Sequence, residues 1–67
     1  MFLTTYFKET PEGQYKADIH QDATGYIVEY YKPTGEKFKT DNFNGQSIHY
    51  VKSSVENWIG GIKTLNG

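Results

Sequence analysis

Between Gln46 and Leu65 the apolar residues stand at Ile48, Val51, Val55, Trp58, Ile62 and Leu65, with Ile59 beside them. They are spaced three, four, three, four and three apart, and the residues between are mostly polar. That spacing puts one apolar stripe on a helix and predicts an amphipathic helix here. Ser47 stands where an N-cap is needed, its hydroxyl placed to accept from a free amide one turn on. A second start is open. Ser53 with Glu56 fits the capping-box pattern, and under that reading residues 47–51 form a fifth strand and the helix begins at Ser54. The three–four spacing already starts at Ile48, which favours the long helix. Gly60 and Gly61 weaken or end it.

The chain before this stretch has the two-residue period of strands. Phe2 to Lys8 is rich in aromatic and β-branched residues and lacks Gly and Pro, so it reads as a strand. Leu3 and Phe7 fall on one of its faces, Phe2 and Tyr6 on the other. Glu9-Thr10-Pro11-Glu12-Gly13 then breaks the run as a turn. From Gln14 to Gln21, Tyr15, Ala17 and Ile19 alternate with Lys16, Asp18 and His20, the mark of a half-buried strand. Asp22-Ala23-Thr24-Gly25 reads as a turn. From Tyr26 to Lys32, Tyr26, Val28 and Tyr30 oppose Ile27, Glu29 and Tyr31. Pro33-Thr34-Gly35 is a hairpin connection. Glu36 to Asn42 is more polar, with Phe38 and Thr40 inward and Lys37, Lys39 and Asp41 outward, as suits a sheet edge.

The expected fold is therefore α+β, a four-stranded antiparallel β-meander with one C-terminal α-helix packed on one face. Tyr15, Ala17, Ile19, Tyr26, Val28, Tyr30 and Phe38 face Val51, Val55, Trp58, Ile59 and Ile62 across two layers. If residues 47–51 are a strand, the alternative is a five-stranded small barrel similar to Sm-like proteins, which form rings and bind RNA. Sm-like folds carry their helix at the N-terminus, and no room for one is expected before Phe2.

Sixty-seven residues make a single domain, 1–67. A chain this short buries only about 60% of the surface that its unfolded form exposes. Small folds compensate with disulfides, metals or oligomers. There is no Cys, which removes disulfides and thiolate metal sites. Six Tyr, four Phe and one Trp leave aromatic packing and self-association to supply the rest.

The net charge of −1 and the lack of Arg argue against a duplex nucleic-acid binder. Residues 1–30 sum to −3 and residues 31–67 to +2, an asymmetry that suits either head-to-tail contact or an ordinary solvated surface. No apolar run is long enough to span a membrane, and the first residues lack the pattern of a secretion signal. A soluble, cytoplasmic protein is expected.

Candidate chemistry is sparse. Asp18, His20 and Asp22 alternate on one side of a strand, where a polar solvent face is the commoner reason. The serines sit in capping or helical positions. No phosphate loop is present, since Gly60-Gly61 is not followed by Lys-Ser/Thr. No enzyme, metal, cofactor or small-molecule substrate is expected. Two surfaces remain. Phe2, Tyr6, Ile27 and Tyr31 lie opposite the expected core and would form a self-association patch. Tyr31, Lys32, Lys37 and Lys39 crowd one hairpin, where an aromatic among lysines suits single-stranded RNA or DNA. Edge-strand lysines that keep a sheet soluble would look the same.

Gly45-Gln46-Ser47-Ile48-His49-Tyr50-Val51, followed by Glu56-Asn57-Trp58-Ile59, resembles small uncharacterised proteins of T4-like marine cyanophages and related ocean metagenome sequences. The likeness covers about the last third of the chain. It implies a phage or marine setting and a small accessory factor in an infected host cell, and it transfers no catalytic residue. The leading expectation is a non-enzymatic interaction module forming a homo-oligomer; a nucleic-acid-binding module is the alternative.

Overall fold

A computed structural model of the chain describes residues 1–60. Four strands run in sequence order as one antiparallel sheet: β1 (Phe2–Thr10), β2 (Gly13–Asp22), β3 (Gly25–Tyr31) and β4 (Lys37–Asn44). Among the described residues one helix, α1 (Ile48–Gly60), follows. This is the α+β meander that the alternating patterns predict.

Short turns set the register. Thr10 faces Gly13 across Pro11-Glu12, and Asp22 faces Gly25 across Ala23-Thr24. In the second turn the Asp22 carboxylate accepts from the Thr24 amide at 2.9 Å, the Thr24 hydroxyl at 2.8 Å and the Gly25 amide at 3.0 Å. Those bonds hold the Asp22 carboxyl below its ordinary range, the Thr24 hydroxyl contributing most. Gly25 has φ +148°, and a Cβ there would stand 2.7 Å from the Phe43 carbonyl oxygen. The neighbouring strand therefore requires a glycine at this point.

Ser47 caps α1. Its hydroxyl accepts from the Tyr50 amide at 3.2 Å, and its carbonyl accepts from Val51 N at 3.2 Å. Residues 48–51 are helical, so the fifth strand and the closed barrel do not form, and the sheet stays open. Ile62 and Leu65, the last two positions of the apolar stripe, lie outside the described residues.

The core lies between helix and sheet. Ala17, Ile19, Val28, Tyr30, Val51 and Val55 are buried, with Leu3, Tyr6, Tyr26, Phe43, Ile48, Trp58 and Ile59 packed around them. Cross-strand partners in an antiparallel sheet share a face. Tyr6 pairs with Ala17 and so lies under the helix, not on the opposite surface where simple alternation from Phe2 placed it. The reason is an irregularity between Phe2 and Thr4 that shifts the register of β1 by one residue.

The last strand departs from expectation in the same way. Val28 pairs with Asp41, and Tyr30 with Lys39, so Lys39 and Asp41 stand on the helix side and Thr40 on the other. The register breaks between Tyr30 and Tyr31, where Tyr31 pairs with Lys37 and leaves Phe38 as an extra residue. Phe38 still reaches the helix side, 5.8 Å from the Tyr15 ring centroid and 6.2 Å from that of Tyr30. It caps the margin of the core and is 41% exposed. The Lys39 ammonium sits 5.2 Å from the Tyr30 ring centroid and 3.6 Å from Asp41. A lysine can thus cover the core's edge with its stem while its charge stays paired.

Candidate functional site

The helix covers one face of the sheet, and no described element covers the other. The pairing sorts that open face into three rows across the strands. Phe2, His20, Ile27 and Asn42 form the first; Thr5, Asp18, Glu29 and Thr40 the second; Phe7, Lys16, Tyr31 and Lys37 the third.

The middle row brings two carboxylates, Asp18 and Glu29, directly opposite one another. Like charges at this spacing repel unless each is compensated. Asp18 accepts from the Thr5 hydroxyl at 2.8 Å and lies 3.8 Å from the Lys16 ammonium. Glu29 accepts from Lys37 and from the Tyr31 hydroxyl, each at 3.2 Å. Lys37 is the main reason the Glu29 carboxyl sits below its ordinary range, with Tyr31 and His20 adding to it against a cost of burial. The Tyr31 phenol is pushed up, by burial and then by Glu29. His20 Nε2 lies 3.3 Å from Glu29 without forming a hydrogen bond to it. The Phe2 ring meets His20 edge-on at 5.6 Å, and the Lys16 ammonium lies over the Tyr31 ring at 4.8 Å.

A charge-compensated row therefore runs between two rows that carry large apolar groups. Phe2 and Phe7 are 54% and 53% exposed. Such a surface suits a flat partner with apolar groups of its own, because its charges already neutralise one another. A shallow groove of about 260 Å³ lies elsewhere, lined by Lys8, Thr10, Glu12, Tyr15, Phe38 and Trp58.

Of the residues expected at a self-association patch, Phe2, Ile27 and Tyr31 meet on the open face, and Tyr6 lies beneath the helix. The hairpin cluster divides. Tyr31 and Lys37 share the open face, Lys39 stands on the helix side, and Lys32 lies in the turn. Each lysine has a carboxylate nearby: Glu36 at 3.8 Å from Lys32, Glu29 at 3.2 Å from Lys37 and Asp41 at 3.6 Å from Lys39. Asp18 and His20 share the open face, while Asp22 is occupied in its turn. Among the described residues no group of three His, Cys, Asp or Glu side chains could hold a metal, and no helix is long and apolar enough to cross a membrane.

The alternation puts Lys16 and Glu29 on this face without marking them as part of a site, and it sets Phe7 on the other face. The signal for Phe7 was the Pro11-Glu12 turn. A two-residue turn pairs Thr10 with Gly13, and counting back from there sets Phe7 opposite Lys16. No protein-family model matches this chain, and neither a curated protein nor a solved structure matches it at a significant level.

Proposed function

We propose that this chain is a non-enzymatic interaction module that works as a homo-oligomer, with its open sheet face as the contact surface. One observation carries the reading: Phe2, Phe7, Ile27 and Tyr31 flank a charge row whose members compensate each other, on a face that no described element covers. Size supports it. Only six of the described residues are buried, and self-association is one of the few ways left to a small fold without Cys to bury more. A self-complementary surface meets a second copy across a two-fold axis. The likeness of residues 45–51 and 56–59 to small cyanophage proteins adds the setting, an accessory factor in the cytoplasm of an infected cell.

The test is light scattering or sedimentation over a wide concentration range. The expected result is a concentration-dependent oligomer that Ile27→Glu weakens, since a buried unpaired carboxylate opposes association. A strict monomer at every concentration would overturn the proposal. Labelled single-stranded RNA and DNA, titrated at two salt concentrations, probe the alternative. Salt-sensitive binding lost in the Lys37→Ala, Lys39→Ala double variant would favour nucleic acid instead.

A further inference from the structure

We propose that the free edge of β1 is a pairing site for a second copy of this chain, the two β1 strands joining antiparallel into one eight-stranded sheet. This rests on the self-association reading and adds to its open-face contact a second one, along the strand edge.

The two edges of the sheet differ. At β4, Lys37, Lys39 and Asp41 line the strand, charges that discourage further pairing. At β1, the stretch Phe2–Phe7 carries no charge and no Pro, and no described strand lies beyond it. In an antiparallel ladder, alternate residues turn their amide and carbonyl toward the neighbour or away from it. Counted from the Thr10–Gly13 pair that closes the hairpin, Thr5, Phe7 and Glu9 turn theirs away from β2. An edge whose first six residues are uncharged and whose alternate backbone groups turn away from the described sheet is a template for another strand.

The strand's own sequence favours a second copy as the occupant. Phe2-Leu3-Thr4-Thr5-Tyr6-Phe7 has large apolar groups at both ends and threonines in the middle, so it reads alike from either direction. A two-fold axis normal to the sheet near Thr5 sets Thr5 against Thr5 and Thr4 against Tyr6 of the second copy. Like faces then stay together, because Thr4 and Tyr6 both lie on the helix side. No like charges meet within Phe2–Phe7. Both helices fall on one side of the joined sheet, and the two open faces merge into one.

Backbone hydrogen exchange of the intact chain, followed from dilute to concentrated solution, tests this. The expected result is that the amides of Thr5 and Phe7 slow by roughly tenfold or more as the oligomer forms. Thr5→Pro removes one outward amide and is expected to abolish this oligomer while keeping the helical signal and Trp58 fluorescence, since proline is tolerated where an edge N–H faces solvent. An oligomer that forms while Thr5 and Phe7 exchange as fast as in the monomer would overturn the edge contact and leave self-association standing. A monomer throughout would overturn both, and so would a monomer in which these amides are already protected, since the chain itself would then hold the edge.

Discussion

The indole of Trp58 meets the ring of Tyr30 edge-on, with centroids 4.9 Å apart and planes at 70°. This contact ties the last turns of the helix to the middle of the sheet, because Tyr30 is 2% exposed and lies on the third strand. Truncating a packed aromatic removes its buried area and leaves a cavity. Trp58→Ala is expected to destabilise the fold by about 3 kcal/mol, at the lower end for tryptophan because the side chain is only partly buried. Trp58→Phe keeps a ring against Tyr30 and should cost clearly less. Urea unfolding followed by circular dichroism measures both; equal midpoints for wild type and Trp58→Ala would show that the helix does not depend on this contact.

Tyr30 also sets an alkaline limit. Burial, reinforced by the Asp41 carboxylate, pushes its phenol up to about 12. The unfolded chain ionises a tyrosine near pH 10. Between those values the folded state holds a proton that the unfolded state has lost, so stability falls as pH rises. The contribution is complete below about pH 10 and gone above about pH 12, with a slope on the order of 1 kcal/mol per pH unit. Tyr30→Phe should flatten that slope while lowering pH-independent stability little. Urea midpoints measured from pH 9 upward, with tyrosinate absorbance as a parallel readout, check the sign.

The helix was legible because each cue agreed with the next. The apolar spacing from Ile48 and the Ser47 cap both describe one element. The middle strands were legible for the same reason, with Ala17, Ile19, Val28 and Tyr30 recurring every second residue up to well-marked turns. The outer strands misled at single points. A residue that shifts register, between Phe2 and Thr4 or at Phe38, reverses the sidedness of everything beyond it. Sequence alternation carries no mark of such a shift, so Tyr6 and Lys39 were assigned to the wrong faces. The open face was half legible in consequence. Its apolar members on the inner strands were visible, and the Asp22–Gly25 turn already sets Asp18 opposite Glu29, but which side chains compensate the two carboxylates depends on contacts that alternation does not carry.

Acid should weaken the sheet through Glu29. Its carboxyl is held below the ordinary value chiefly by Lys37, then by the Tyr31 hydroxyl. A carboxyl lowered in the folded state contributes stability above its unfolded value near pH 4.5, and this is lost as pH falls through the folded value. Lys37→Met removes the main partner and should shrink the acid-side loss of stability, at the cost of lower stability near pH 7. Midpoints of unfolding at pH 7 and below pH 4, compared for the two proteins, give the readout. An acid dependence identical to wild type would mean that Lys37 does not govern this carboxyl.

The helix start gives a smaller, cleaner effect. The Ser47 hydroxyl satisfies the Tyr50 amide in the first turn, and both groups face solvent. Ser47→Ala is expected to cost about 1 kcal/mol, and Ser47→Asp to retain most of the stability, because a carboxylate can accept the same bond and favours the positive end of the helix. Thermal melts of the three proteins rank them; an alanine variant as stable as the aspartate one would show that the cap contributes nothing.

Two glycines should respond in opposite directions to the same change. Gly25 sits at φ +148° beneath the carbonyl of Phe43, and an added Cβ would approach that oxygen to 2.7 Å. Backbone on the adjoining strand cannot swing aside as a flexible side chain can, so either β3 and β4 separate at this end or the turn rebuilds. Gly25→Ala is therefore expected to cost on the order of 1–3 kcal/mol. The Tyr26–Phe43 pair would loosen next, since it is the following rung of the same ladder. Gly60 is the last described residue of the helix, and among the described residues nothing lies within 4 Å of a would-be Cβ. There alanine restricts the unfolded chain and favours helix, so Gly60→Ala should stabilise by up to about 1 kcal/mol. Measuring both in one denaturation series separates local sterics from general helix or strand preference, because a destabilised Gly60→Ala together with a neutral Gly25→Ala would contradict the close approach of strand and turn.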